Sequence, residues 1–255
     1  MKIKFPVEAF ALAMILTTNT LAEAVIVGVL VLFGTLAGML ARVVLGDEKR
    51  MQEVEVMITF FATFGSIYLI NPDYVNSTDL WAATFTVVAL GLLNAKFVWQ
   101  APAEMCSDYK GVVRQSVWAY IVLLVIAFFR EFLGKGTLLG YDVLAHGLVA
   151  TGYQHTFFGF IAAGFGIAFL NRILDLDSSE FQSELIIVPT ALIAPPFAFK
   201  SLPFAFSAAL SLFLVVIYLV SVKGRIMYSD TQEHYQAMPI ELIAVGIVYM
   251  ILSFF

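Results

Sequence analysis

The sequence predicts an all-α, polytopic helical membrane protein of eight or nine spans, with helices broken inside the bilayer. It forms one integral membrane domain over residues 1–255. Three observations carry this. Of 255 residues, 61% are apolar and only 13% are charged, with a mean hydropathy of +0.91. A water-soluble fold of this length has too little interior for so much apolar side chain, so its surface must face lipid. The apolar residues also fall into blocks of about 16 to 25, the length a helix needs to cross ~30 Å of hydrocarbon. Basic residues, finally, gather mostly on one of the two sides that these blocks define.

The expected spans are 5–22, 24–45, 56–71, 79–98, 114–134, 147–171, 184–199, 201–222 and 239–255. The first opens with a basic start and an apolar run, MKIKFPVEAFALAMIL, and lacks a small-x-small cleavage site before Thr17. It is therefore read as a retained segment, not a signal peptide. Only Glu23 separates it from the second. Gly34 and Gly38 in the second span, and Gly159, Gly164 and Gly166 in the sixth, let neighbouring helices approach closely. The seventh span carries Pro189 and Pro195-Pro196, which break or re-enter a helix. The longest polar stretch, 99–113, is too short to build a soluble core.

With nine crossings, eleven basic residues collect on the N-terminal side: Lys2, Lys4, Arg42, Lys49, Arg50, Lys96, Lys110, Arg114, Arg172, Lys223 and Arg225. Three, Arg130, Lys135 and Lys200, collect on the other. This asymmetry puts the N-terminus in the cytoplasm, and nine spans preserve it better than eight.

The net charge of −5 comes without any basic run, which excludes a nucleic-acid surface. The single cysteine, Cys106, makes no internal disulfide and reads as an incidental loop thiol. His146, His155 and His234 have no ligand spacing, so no metal site is expected from this chain alone. No nucleophile–base set is visible either, so an enzyme acting by itself is not expected.

Function is therefore sought where polar residues interrupt apolar blocks. Thr17-Thr18-Asn19-Thr20, followed by Glu23, has no Gly or Pro turn and reads as a helix break or an ordinary turn. Asn94 and Lys96 interrupt the fourth span. Lys96 is long enough to snorkel to the cytoplasmic surface, whereas Asn94 is too short, and a second break is the alternative. Arg130 and Glu131 end the fifth span. They point about 100° apart on a helix and so need not pair with each other. They either anchor the interface or face the bundle interior. Glu8 and Glu241, each at the mouth of a span, fit the interfacial reading. Gly134-Lys135-Gly136-Thr137 lacks the Gly-Lys-Ser/Thr ending of a phosphate loop.

The stretch Arg130-Glu131-Phe132-Leu133-Gly134-Lys135-Gly136-Thr137-Leu138-Leu139-Gly140 resembles the R-E-(I/L)-L-G-x-G-T-L-(F/L)-G signature of the Rnf/Nqr small membrane subunits. These are the A and E subunits of Rnf and the D and E subunits of Na⁺-translocating NADH:quinone oxidoreductase. Met238 to Ile247 is similar to that family's closing helix, and Ala194-Pro195-Pro196-Phe197-Ala198-Phe199 to its P-P-G-A-F turn.

The resemblance implies an inverted pair of three-helix repeats, two broken helices at mid-membrane, and a homologous sister subunit beside other redox-complex subunits. It also implies a bacterial or archaeal inner membrane. Each sister supplies two cysteines to an intramembrane [2Fe-2S] cluster, one of them in a T-N-C site. Here Thr18-Asn19-Thr20 carries threonine at that cysteine position, and the other candidate break reads Asn94-Ala95. The expectation is a cysteine-poor relative. It would be a membrane subunit of an ion-translocating electron-transport complex that adds scaffold and an ion path, without iron–sulfur ligands. Asn19, Glu23, Asn94, Lys96, Arg130 and Glu131 are its candidate intramembrane residues. The alternatives are an independent secondary transporter on the same scaffold, or a purely structural subunit.

Overall fold

The computed structural model describes residues 5–45, 52–70, 80–100, 109–144, 149–174, 182–194, parts of 203–220, and 237–253. Its helices are α1 (Val7–Leu16), α2 (Leu21–Leu45), α3 (Gln52–Ile70), α4 (Leu80–Gln100), α5 (Tyr109–Lys135), α6 (Thr156–Leu174), α7 (Glu184–Ile193) and α8 (Ala237–Leu252). Among the described residues, four stretches are long and apolar enough to cross a membrane: Leu21–Val44, Ala82–Gln100, Lys110–Lys135 and Thr156–Leu174. Between α5 and α6 lie a two-stranded antiparallel hairpin, β1 (Thr137–Leu138) and β2 (Tyr141–Asp142), and a 3-10 turn at Thr151–Gln154.

The core is built around α1. Every residue from Val7 to Ile15 is buried, and a helix that is apolar all round must be enclosed by its neighbours. At 10 residues it is only ~15 Å long, about half of what a crossing requires. The expected span 5–22 is therefore corrected: the chain leaves the helix at Thr17 and re-enters one at Leu21, and Glu23 lies inside α2. α7 is equally short and holds Pro189 within it.

Side-chain contacts fix the helix directions. Glu131, near the end of α5, meets Leu21 at the start of α2, and Arg42, near the end of α2, meets Val98 near the end of α4. α2 thus runs opposite to α5 and parallel to α4. α6 starts where α5 ends, and α8 runs against it, since Gly246 faces Phe157 while Gly164 faces Pro239. α1 and α7 begin at the same end of the bundle, where Gln182 N donates to Glu8 Oε1 (3.3 Å). Four of the expected small-residue contacts are present: Gly159 packs on α1, Gly164 on α8, Gly166 on α5, and Gly38 on Thr59 of α3.

Outside this core the helices present apolar stripes. On α5, Ile121, Val125, Phe128 and Phe129 are all exposed, the pattern of a lipid-facing surface.

Candidate functional site

The gap between α1 and α2 leaves two sets of backbone groups without helical partners: the last carbonyls of α1 and the first N–H groups of α2. α5 supplies both complements from adjacent positions. Arg130 (1% exposed) and Glu131 (2% exposed) enter the gap side by side, aimed at different helix ends.

Arg130 takes the α1 side. Its Nη1 donates to Ile15 O (3.0 Å) and to Thr18 Oγ1 (2.6 Å), and Thr18 in turn donates to Met14 O (2.7 Å). Its Nε donates to Tyr153 O (3.0 Å), and Nη2 to Gln154 O (3.2 Å) and His155 O (3.3 Å). All five guanidinium hydrogens have acceptors, four of them backbone carbonyls. The 3-10 turn is tied back in return, because Gln154 Nε2 donates to Arg130 O (2.5 Å). A planar fork of fixed donors suits such a ring of carbonyls better than the point charge of a lysine.

Glu131 takes the α2 side. Leu21 N donates to its Oε2 (2.6 Å), which places a carboxylate at the helix N-terminus, where the dipole favours negative charge. Its Oε1 receives longer bonds from Thr137 Oγ1 and Gly140 N, both 3.4 Å. One carboxylate thus joins the start of α2 to the hairpin. Gly136 and Gly140 hold positive φ (71° and 83°), which turns the hairpin back onto the end of α5.

Thr20-Leu21-Ala22-Glu23 completes the start of α2, with Glu23 N donating to Thr20 Oγ1 (3.2 Å). This Thr-x-x-Glu sequence is a helix-start signal that the sequence reading missed. Lys135, Arg130 and Glu131 are the charged side chains that act on half-buried Glu23. The Asn19 Oδ1 atom is buried and has no hydrogen-bond partner among the described residues.

The structure therefore brings Asn19, Glu23, Arg130 and Glu131 together and leaves Asn94 and Lys96 elsewhere. α4 runs unbroken from Leu80 to Gln100, which corrects the expected second break. Asn94 is fully buried against α2: its Nδ2 donates to Val31 O (3.0 Å), and its Oδ1 lies 2.8 Å from Thr35 Oγ1. An asparagine with its amide satisfied across a helix pair leaves its own helix intact. Lys96 does not snorkel. Its Nζ donates to both carboxylate oxygens of Glu8 (2.7 and 2.9 Å), a residue only 6% exposed. Glu8 is thus an interior ion-pair partner and not the interfacial residue expected from its position.

Glu241 is likewise buried, accepting a hydrogen bond from Ser183 Oγ at the start of α7. Neither partner of these pairs is near the other in sequence, so no local signal announces them. Cys106, His146, His234 and the Pro195-Pro196 turn lie outside the described residues. No family model, curated protein or solved structure matches this chain.

Proposed function

We propose that this chain is a cysteine-poor membrane subunit of an ion-translocating electron-transport complex of the Rnf/Nqr kind, contributing a braced broken helix and no iron–sulfur ligands. One observation carries the reading. The stretch on which the resemblance rests, Arg130 to Gly140, is the stretch that braces the α1–α2 break. A broken membrane helix is also what that resemblance implies.

The residues present do not fit the [2Fe-2S] cluster. Thr20 stands at the position matched to a cluster cysteine, and its hydroxyl is engaged by Glu23 N at the start of α2. Such clusters are held by thiolates, and a capping hydroxyl is no substitute. With Arg130 saturated and Glu131 occupied by three donors, Asn19 and Glu23 are the polar groups left to meet a cation at the break. Helix breaks of this kind form ion sites in transporters.

In this reading α2, α4, α5 and α6 each cross the membrane, and α1 and α7 are too short to cross it alone. The cytoplasmic end is the one carrying Arg42, Lys110, Arg114 and Arg172, and α1 begins on that side. The two short helices, α1 and α7, run in the same sense, so the reading does not require them to be inverted counterparts. A homologous sister subunit in a bacterial or archaeal inner membrane is the expected neighbour.

Purification of the tagged chain from native membranes in mild detergent tests this directly. The expected result is a second small membrane subunit together with flavin- or iron-bearing partners, and no iron in the isolated chain. A lone homodimer, thermally stabilised by a solute or ion, would replace this reading with an independent secondary transporter.

A further inference from the structure

The hairpin after α5 has a feature that bracing the break does not explain. Its turn is Leu139-Gly140, with positive φ at both residues (53° and 83°). Two-residue hairpin turns demand that sign, and Gly, Asn or Asp supply it readily. A leucine there crowds its own Cβ against the following carbonyl. Leu139 is 56% exposed, and Tyr141 and Val143 are 78% and 55% exposed. A strained backbone is holding apolar side chains outward, and such outliers persist where the surroundings stabilise them.

We propose that this hairpin tip is seated in the interfacial layer of the bilayer, at the boundary between headgroups and acyl chains. Connectivity puts it there. β1 begins two residues after the end of α5, whose exposed stripe of Ile121, Val125, Phe128 and Phe129 faces lipid. The hairpin cannot swing away from that helix end. Val143 N and Leu144 N both donate to Gly136 O (2.9 Å each), and Ala150 N donates to Leu133 O (2.9 Å).

Its chemistry also fits. Tyr141 joins an apolar ring to a polar tip, Leu139 and Val143 are purely apolar, and exposed Lys135 and Asp142 flank them. That mixture matches the amphipathic belt at a membrane surface, where aromatic rings lie at headgroup level and charged ends reach water. Through Gly140 N and Thr137 Oγ1 the same hairpin holds Glu131, so the interface and the start of α2 share one carboxylate.

Spin-label accessibility in the full-length protein decides the matter. In a Cys106→Ser background, Tyr141→Cys is labelled and reconstituted into phosphatidylcholine–phosphatidylglycerol vesicles, with Phe129→Cys as the lipid-facing reference. Collisions with dissolved oxygen should exceed those with a water-soluble nickel chelate at position 141, as at position 129. Leu139→Gly should lower that ratio. A nickel rate above the oxygen rate would make the hairpin an aqueous loop and overturn the proposal. Near-zero rates for both would overturn it equally, by showing the tip covered by protein, whether a second copy or another subunit. Val143→Cys gives the same reading if the Tyr141 variant does not fold.

Discussion

Replacing Arg130 with methionine keeps an unbranched apolar stem and deletes all five donors at the α1–α2 break. Three of the acceptors, the carbonyls of Tyr153, Gln154 and His155, lie in partly buried bonds that water can replace. The other two, Ile15 O and Thr18 Oγ1, are in buried bonds. Each buried polar group left unsatisfied costs roughly 1–3 kcal/mol, so these two set a range of about 2–6 kcal/mol. Thr18 still donates to Met14 O, which favours the lower half, about 3 kcal/mol. Arg130→Lys keeps the charge but has three donors on one nitrogen, and should recover only part of the loss.

Equilibrium unfolding in mixed micelles, followed by circular dichroism, measures these differences. A double-mutant cycle with Thr18→Val isolates the 2.6 Å bond. Its coupling should be about 1 kcal/mol, within the upper limit of roughly 1.7 kcal/mol found for hydrogen bonds between membrane helices. If Arg130→Met lies within about 0.5 kcal/mol of the parent, the brace is not a structural element and the reasoning fails.

Gly159→Ala would put a methyl 2.7 Å from Ile15 O and 3.1 Å from Arg130 Nη1. Because the first obstacle is backbone, a loss of about 1–3 kcal/mol is expected, with faster amide exchange around residues 15–20. Glu131→Gln should speed exchange at the Leu21 amide and across 136–144 together, since one carboxylate holds both. Loss at only one of the two sites would separate them. Lys96→Met should destabilise by about 1–3 kcal/mol, less than for a fully buried pair because the lysine side chain is 25% exposed. Adding Glu8→Gln should restore part of that stability, measured in the same unfolding assay.

Membrane character, helix content and the approximate position of the four long apolar helices follow from sequence because each is a property of local composition. A run of about 20 apolar residues must be helical in lipid wherever it sits, since nothing else there satisfies its backbone. At Thr17–Thr20 the sequence left a helix break and an ordinary turn both open, although Thr20-x-x-Glu23 carries a helix-start signal that would have placed the start of α2.

Partnership was not legible. Asn94 could be a break or a bridge, and only the approach of α2, with Val31 O and Thr35, made it a bridge. Lys96 could reach water or Glu8, and the burial of α1 decided for Glu8. Arg130 is bonded to residues 112 and 115 positions away, a pairing that no window along the chain contains. Within a bilayer, a buried polar group takes whichever partner the packing brings to it, and packing is a property of the assembled helices.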